Sequence, residues 1–170
     1  PTVSLPPLHP AQRQIALCAA RFVIAICGRR FGKTKAGAAL CIKAASEGQR
    51  AWWIAPAYSM AGEGYRDIRA LAWQLPGVDI RESDRLIRFP GGGEIQIKTG
   101  DDPQKLRGAG LDLAILDEAA FMKADVWTDA IRPALADKLG RAFFLSTPFG
   151  MNWLYALYTE ALNGGDWQAF

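Results

Sequence analysis

Apolar residues along the chain fall into two alternating patterns. Short unbroken runs, Phe22-Val23-Ile24-Ala25-Ile26, Ala51-Trp52-Trp53-Ile54-Ala55, Leu113-Ala114-Ile115-Leu116 and Ala142-Phe143-Phe144-Leu145, read as buried strands. Between them lie mixed stretches that suit helices, at 10–20, 35–46, 59–74, 126–138 and 153–162. The breaks have local causes: Gly48 ends the second helix, Pro56 stops the second strand and Pro76-Gly77 closes the third helix. Residues 85–89 and 94–98 differ, alternating apolar and charged positions around the turn Pro90-Gly91-Gly92-Gly93, which predicts a hairpin at a sheet edge. Repeated strand–helix units predict an α/β domain with a mostly parallel central sheet, helices on both faces and an antiparallel hairpin at the edge.

The first strand runs into Gly28-Arg29-Arg30-Phe31-Gly32-Lys33-Thr34 and then into a helix-forming stretch. A strand that turns through glycines into a helix opening Gly-Lys-Thr is built to hold a polyphosphate. Unpaired backbone N–H groups and the positive end of the helix dipole face the anion there. Lys33 reaches the β- and γ-phosphates, and the Thr34 hydroxyl ligates Mg²⁺. Cys27 stands where the usual pattern has its first glycine, with Gly28 one place later; a small residue can still make the turn. The glycine-rich segment 91–93 carries no lysine and no following helix, so it reads as a turn and not as a second phosphate loop.

The third apolar run ends in Asp117-Glu118. A carboxylate at the C-terminal edge of a strand neighbouring the phosphate loop is where Mg²⁺ must be held. Glu118 then falls where it polarises the attacking water. Acidic pairs after buried strands also arise as helix N-terminal charges, but the coincidence of the two motifs favours chemistry.

Composition narrows the picture further. The chain has 170 residues, half of them apolar, enough for one domain with a sizeable core, and its net charge of +3 decides little about partners. No apolar run is long enough to span a membrane. The opening, Pro1 to Pro10, is proline-rich without a basic leader, and a start at proline suggests a processed or trimmed chain. Cys18, Cys27 and Cys41 have no metal-ligand spacing and read as reduced core thiols. His9 is the sole histidine, which leaves a histidine metal site or a Ser-His-Asp triad without support.

Taken in order, Gln12, the arginine-containing loop at 28–34, Leu106-Arg107-Gly108, Leu113 to Met122 with its Asp-Glu-Ala-Ala-Phe, and Ser146-Thr147-Pro148 resemble the ATPase domain of the large terminase subunit. That subunit is the DNA-packaging motor of tailed bacteriophages, and the resemblance covers nearly all of the chain. It implies a P-loop NTPase fold of the ASCE type using ATP and Mg²⁺. Gly28, Arg29, Arg30, Phe31, Gly32, Lys33, Thr34 and Lys35 would hold the nucleotide, Gln12 would contact adenine, and Arg29 would touch phosphates or sense nucleotide state. Thr34 and Asp117 would hold the metal, and Glu118 would activate water. Arg107 matches an arginine proposed to act as the finger of a neighbouring subunit, and Ser146, Thr147 and Pro148 would couple hydrolysis to DNA movement. The resemblance also implies double-stranded DNA, a portal and a small terminase subunit as partners. It implies a homo-oligomeric ring when active, a monomer in isolation, and the cytoplasm of the infected bacterial host as the place of action. Family members carry a C-terminal nuclease domain, and nothing after Pro148 is long enough to hold one, so residues 1–170 read as a single ATPase domain cut from a longer chain.

Plain readings stand beside these. Arg107 is equally a solvated loop charge, Gln12 an exposed helix residue, and Ser146 to Pro148 a strand that ends at proline. Arg81, Arg85, Arg88 and Lys98 around the hairpin form either a phosphate-facing patch or a charged, aggregation-resistant edge. The competing functions are a helicase-like nucleic-acid ATPase and a non-hydrolysing nucleotide-binding assembly module. The first would need a second motor domain, and the second has no use for a water-activating acid.

Overall fold

The apolar runs of the sequence pair edge to edge, and their order decides where the polar residues meet. The computed structural model describes residues 7–108 and 110–170; the opening Pro1 to Pro6 lies outside them. Strands β1 (Phe22–Ile26), β2 (Arg50–Ala55), β3 (Asp79–Arg81), β4 (Leu86–Arg88), β5 (Glu94–Thr99), β6 (Leu113–Asp117), β7 (Arg141–Ser146) and β8 (Trp167–Ala169) form one sheet in the order β3-β4-β5-β2-β6-β7-β1-β8. All pairs from β5 to β8 are parallel, and β3 and β4 add antiparallel at one edge. The acidic strand β6 does not neighbour β1, contrary to the simplest reading of the motifs. Strand β7 lies between them, the arrangement of the ASCE type, which sets the two motif-bearing strands roughly 10 Å apart.

Helices cover both faces because side chains alternate along each buried strand. Val23, Trp53, Ile115 and Phe143 point to the layer containing α1 (Pro10–Leu17), α2 (Lys33–Ser46) and α3 (Tyr58–Ala72). Ile24, Trp52, Leu116 and Phe144 point to the other layer, which holds a π-helical segment (Val126–Ile131), its continuation α4 (Arg132–Ala134) and α5 (Trp153–Ala161).

Several boundaries differ from expectation, each for a local reason. The first helix stops at Leu17, three residues early, and the freed carbonyls of Cys18 and Ala20 accept from the Arg141 guanidinium. The helix expected over 126–138 becomes a π-helix that ends in one short α turn. Pro133 has no N–H to give to the carbonyl four residues back, and its ring crowds that carbonyl. β3 and β8 carry too few alternating apolar residues to be read as strands, and each is held by its sheet neighbour. Cys41 is fully buried as expected, whereas Cys18 and Cys27 are only partly so.

The basic residues near the hairpin have partners within the domain. Arg81 pairs with Asp79 at 2.9 Å and Arg88 with Glu94 at 3.8 Å. Arg85 lies 4.1 Å over the Tyr58 ring and Lys98 5.1 Å over Trp52.

Trp53 fixes how closely the helices approach the sheet. A Cβ placed on Gly64 of α3 would lie 2.3 Å from its ring, and one on Gly37 of α2 would lie 2.8 Å away. Both helices therefore seat on a flat aromatic surface that only glycine permits. Gly64→Ala should lower stability by about 1–3 kcal/mol through overpacking, despite a helix-propensity gain of ~1 kcal/mol. Gly62→Ala, two residues away where a Cβ meets nothing within 4 Å, should raise stability. Paired thermal melts of the two variants check this, and a Gly64→Ala melt at or above wild type would refute the packing argument.

Candidate active site

Strand β1 ends at the loop that opens α2, and the loop backbone is wound unusually. Arg30 has φ 64° and Gly32 φ 84°, two left-handed residues two apart, the spacing from which an N–H-lined concavity is built. The helix starts at Lys33, two residues earlier than expected, so Lys33 and Thr34 occupy its first turn, where backbone N–H groups lack helical partners. Lys33 is buried, at 8 % exposure. Its Nζ donates to the carbonyls of Cys27 at 3.3 Å and Gly28 at 3.4 Å, and lies 3.9 Å from Glu118 Oε1.

From across β7, strand β6 delivers the two acids. Asp117 is 6 % exposed, and its carboxyl is pushed up to about 7. Burial is the main cause, with the Glu118 and Glu63 charges adding to it and the Lys33 ammonium opposing it. Glu118 is left-handed as well, at φ 50°. Its Oε2 accepts from Thr147 N at 3.1 Å and from Thr147 Oγ1 at 2.9 Å. Oε2 is thus fixed, and Oε1 is turned to the lysine. Ser146, fully buried, accepts from Ala120 N at 3.2 Å through its Oγ, and Pro148 is exposed just beyond.

Lys33, Thr34 and Glu118 line one open cleft of ≈ 790 Å³, in the range of ligand sites. Arg29, Arg30, Phe31, Gly32, Lys35 and Thr147 border it, with both arginines and Lys35 exposed. A second hollow of ≈ 730 Å³ adjoins it through Thr34, Met60, Glu63 and Glu118 and reaches Asp117. Gln12 also borders the main cleft, but it is buried and not an exposed helix residue. Its Nε2 donates to the Phe31 and Gly32 carbonyls at 3.0 and 3.1 Å, and its Oε1 accepts from His9 N at 2.9 Å. In this state the amide braces the phosphate loop. Arg107 lies elsewhere: it is exposed and lines a different cleft with Asp129 and Asp137, which shares no lining residue with the one around Lys33. No contact brings it to the site of its own chain among the described residues.

The residues fit a nucleotide and Mg²⁺. A helix N-terminus with a buried lysine faces the cleft, and the buried Asp117 stands beside the partly exposed Glu118. No three metal-ligating side chains cluster among the described residues, but Mg²⁺ shared with a polyphosphate needs only one or two carboxylates. Sequence reasoning missed Glu63, which α3 turns toward Asp117. No motif flags it, because it reaches the site only through the packing of α3.

Burial of Asp117 makes stability depend on pH. Its folded carboxyl keeps a proton that the unfolded chain gives up near pH 4, so the folded state loses stability as pH rises from about 4 through about 7. At ~1.4 kcal/mol per pKa unit the loss is at most about 4 kcal/mol. Asp117→Asn, measured in EDTA, should melt higher than wild type at pH 8, with the gap closing toward pH 4. A gap independent of pH would show that Asp117 is not held protonated.

The family described as the terminase large subunit, T4likevirus-type, N-terminal, matches residues 24–169. The large terminase subunit of Thermus virus P23-45 is 33% identical over 92% of this chain, and that of Escherichia phage T5 is 32% identical over 81%. The chain spans 37% and 33% of the length of these two relatives. Among solved structures, the large terminase ATPase domain of Thermus phage P74-26 superposes with a TM-score of 0.83 at 29% identity, covering 95% of this chain and 79% of that one. The large terminase of another thermophilic bacteriophage, solved in complex with ADP, gives 0.78 at 16% identity over 96% of this chain and 45% of that one. With its phosphate loop, acid pair and inserted strand in the places described, the chain belongs to the N-terminal domain family of large terminase subunits.

Proposed function

We propose that this domain hydrolyses ATP to drive double-stranded DNA into a viral procapsid, as the motor portion of a large terminase subunit. The observation that carries this reading is the meeting of Lys33, Asp117 and Glu118 across β7, with Glu118 Oε2 tied to Thr147 and Oε1 left facing the lysine. The solved P74-26 relative bears the name ATPase domain, and the second thermophilic-phage terminase has been solved in complex with ADP and with ATP-γ-S.

In this reading Lys33 leaves the Cys27 and Gly28 carbonyls for the β- and γ-phosphates, while the first-turn N–H groups of α2 receive the remaining phosphate oxygens. Thr34 and Asp117 hold Mg²⁺, which when bound supplies charge neutralisation on the phosphate oxygens. Glu118 takes a proton from water at Oε1 as the water oxygen bonds to the γ-phosphorus and the bridging P–O bond to the β-phosphate breaks, giving ADP and phosphate. Arg29 and Arg30 at the rim meet the phosphate charge, and Gln12 exchanges its loop carbonyls for adenine. Because Arg107 is exposed away from its own cleft, it serves the site of a neighbouring copy in a ring. Ser146, Thr147 and Pro148 pass the state of Glu118 to the DNA-moving parts. Portal and small terminase subunits are the partners, the host cytoplasm is the place of action, and cutting of DNA is not assigned to these residues.

ATP turnover by single variants tests the chemistry. Lys33→Ala should lose nucleotide affinity, whereas Glu118→Gln should bind ATP but turn over about 10²–10⁴-fold more slowly. Arg107→Ala mixed with Glu118→Gln should recover part of the lost activity, because one variant supplies the base and the other the arginine. If every mixture stays as inactive as its parts, the site is confined to one chain.

A further inference from the structure

Glu118 is held by more than its own side chain. The turn that follows it, Ala119–Phe121, is laced to the end of β7 and the segment beyond it by a set of hydrogen bonds. Ser146 Oγ accepts from Ala120 N, and Trp153 Nε1 donates to the Met122 carbonyl at 2.7 Å. At the centre is Asn152. Its Nδ2 donates to the Ala120 carbonyl at 3.1 Å and the Phe149 carbonyl at 3.0 Å, and its Oδ1 accepts from Leu154 N at 3.0 Å and Tyr155 N at 3.1 Å. Both donors and both lone pairs of the carboxamide are therefore used.

We propose that Asn152 is a positioning residue for the water-activating acid, tying the backbone two residues past Glu118 to the N-terminus of α5. The proposal rests on reading Glu118 as that acid. A left-handed glutamate is unfavourable because its Cβ crowds the following carbonyl, and such a conformation persists only where its surroundings over-determine it. Thr147 fixes one carboxylate oxygen, and Asn152 fixes the Ala120 carbonyl in the turn that Glu118 opens. No other side chain of this size does both jobs. Aspartate and serine can cap a helix as asparagine does, but aspartate has no donor for the Ala120 carbonyl and serine is too short to span both partners. The tie also runs in reverse: displacement of α5 pulls on Ala120 and so on Glu118. That gives the helix leading to β8 a direct mechanical link to the hydrolytic site.

The two roles of Asn152 can be separated by substitution. Asn152→Asp and Asn152→Ser keep the cap on α5 and remove the tie to Ala120; Asn152→Ala removes both. Hydrogen exchange on the ligand-free chain should show amides 119–122 exchanging at least tenfold faster in Asn152→Asp and Asn152→Ser, with amides 154–158 as protected as in wild type. ATP turnover should fall about tenfold or more in both, with KM and the affinity for ATP-γ-S within twofold of wild type. Unchanged exchange over 119–122 overturns the proposal, and this arm needs no hydrolysis. Faster exchange with wild-type turnover overturns the positioning role, as does a loss of nucleotide affinity equal to the loss of turnover. Absence of turnover in wild type itself is a different result, which would strike the proposed function and leave the exchange arm standing.

Discussion

Two carboxyl groups in sequence, Asp117 and Glu118, sit at the end of a buried strand with one ammonium, Lys33, facing them. Burying Asp117 beside the partly exposed Glu118 is unfavourable, and the one ammonium, 3.9 Å from Glu118, offsets this only in part. The raised Asp117 carboxyl is the direct sign of that deficit. The rest of the domain serves to keep it in place: β7 spaces the two motif strands, the apolar layers hold the strands rigid, and two separate loops grip the glutamate. Under the proposed function, a site left short of positive charge would suit a metal cation arriving with a polyphosphate.

The loops at the ends of β6 and β7 are joined by side chains more than by backbone. Thr147 grips the Glu118 carboxylate, Ser146 takes the Ala120 N–H, and Asn152 and Trp153 take the carbonyls of Ala120 and Met122. Phe121 and Phe149 stack beside them with ring centroids 4.3 Å apart. A body cross-linked this way moves as a unit, because breaking any one bond leaves a polar group to be satisfied elsewhere. The Ser-Thr-Pro segment thus has a physical route to the acid: direct hydrogen bonds to the Glu118 carboxylate and to the backbone next to it.

Much of this was legible in the residues. Unbroken apolar runs located β1, β2, β6 and β7, because a strand buried on both faces has no choice of residue type, and the loop and the acid pair stood at the ends of such runs. The strand order was not legible: nothing in the composition of residues 141–146 says that this strand inserts between the other two. Short strands such as β3 and β8 were hidden because their stability comes from a neighbour and not from their own pattern. Pro133 was visible, yet its effect, a widened π turn in place of a break, depends on packing of Trp127 and Ile131. In the site, Lys33, Thr34, Asp117 and Glu118 were found by motif, whereas Glu63 and Asn152 reach it only through tertiary placement. Asn152 left one local trace, an asparagine directly before the apolar helix Trp153–Ala161, which signals a cap and says nothing of Ala120.

The ligand-free loop is already satisfied, and under the proposed function this bears on how a nucleotide would be recognised. Lys33 bonds to two carbonyls of its own loop, and Gln12 bonds to two more while His9 Nε2 lies 3.1 Å from the Phe31 oxygen. Binding is therefore an exchange of partners, and its net strength is the difference between the new bonds and those given up. A charged phosphate competes well for Lys33, since a charge-assisted bond is roughly twice as strong as one to a neutral carbonyl. Adenine is neutral and offers Gln12 no such advantage. Discrimination by Gln12 would then rest on geometry: a base would have to present donor and acceptor together before the amide profits from leaving Phe31 and Gly32. Under the proposed function the phosphates would supply most of the affinity, and the glutamine would act as a filter on which base is accepted.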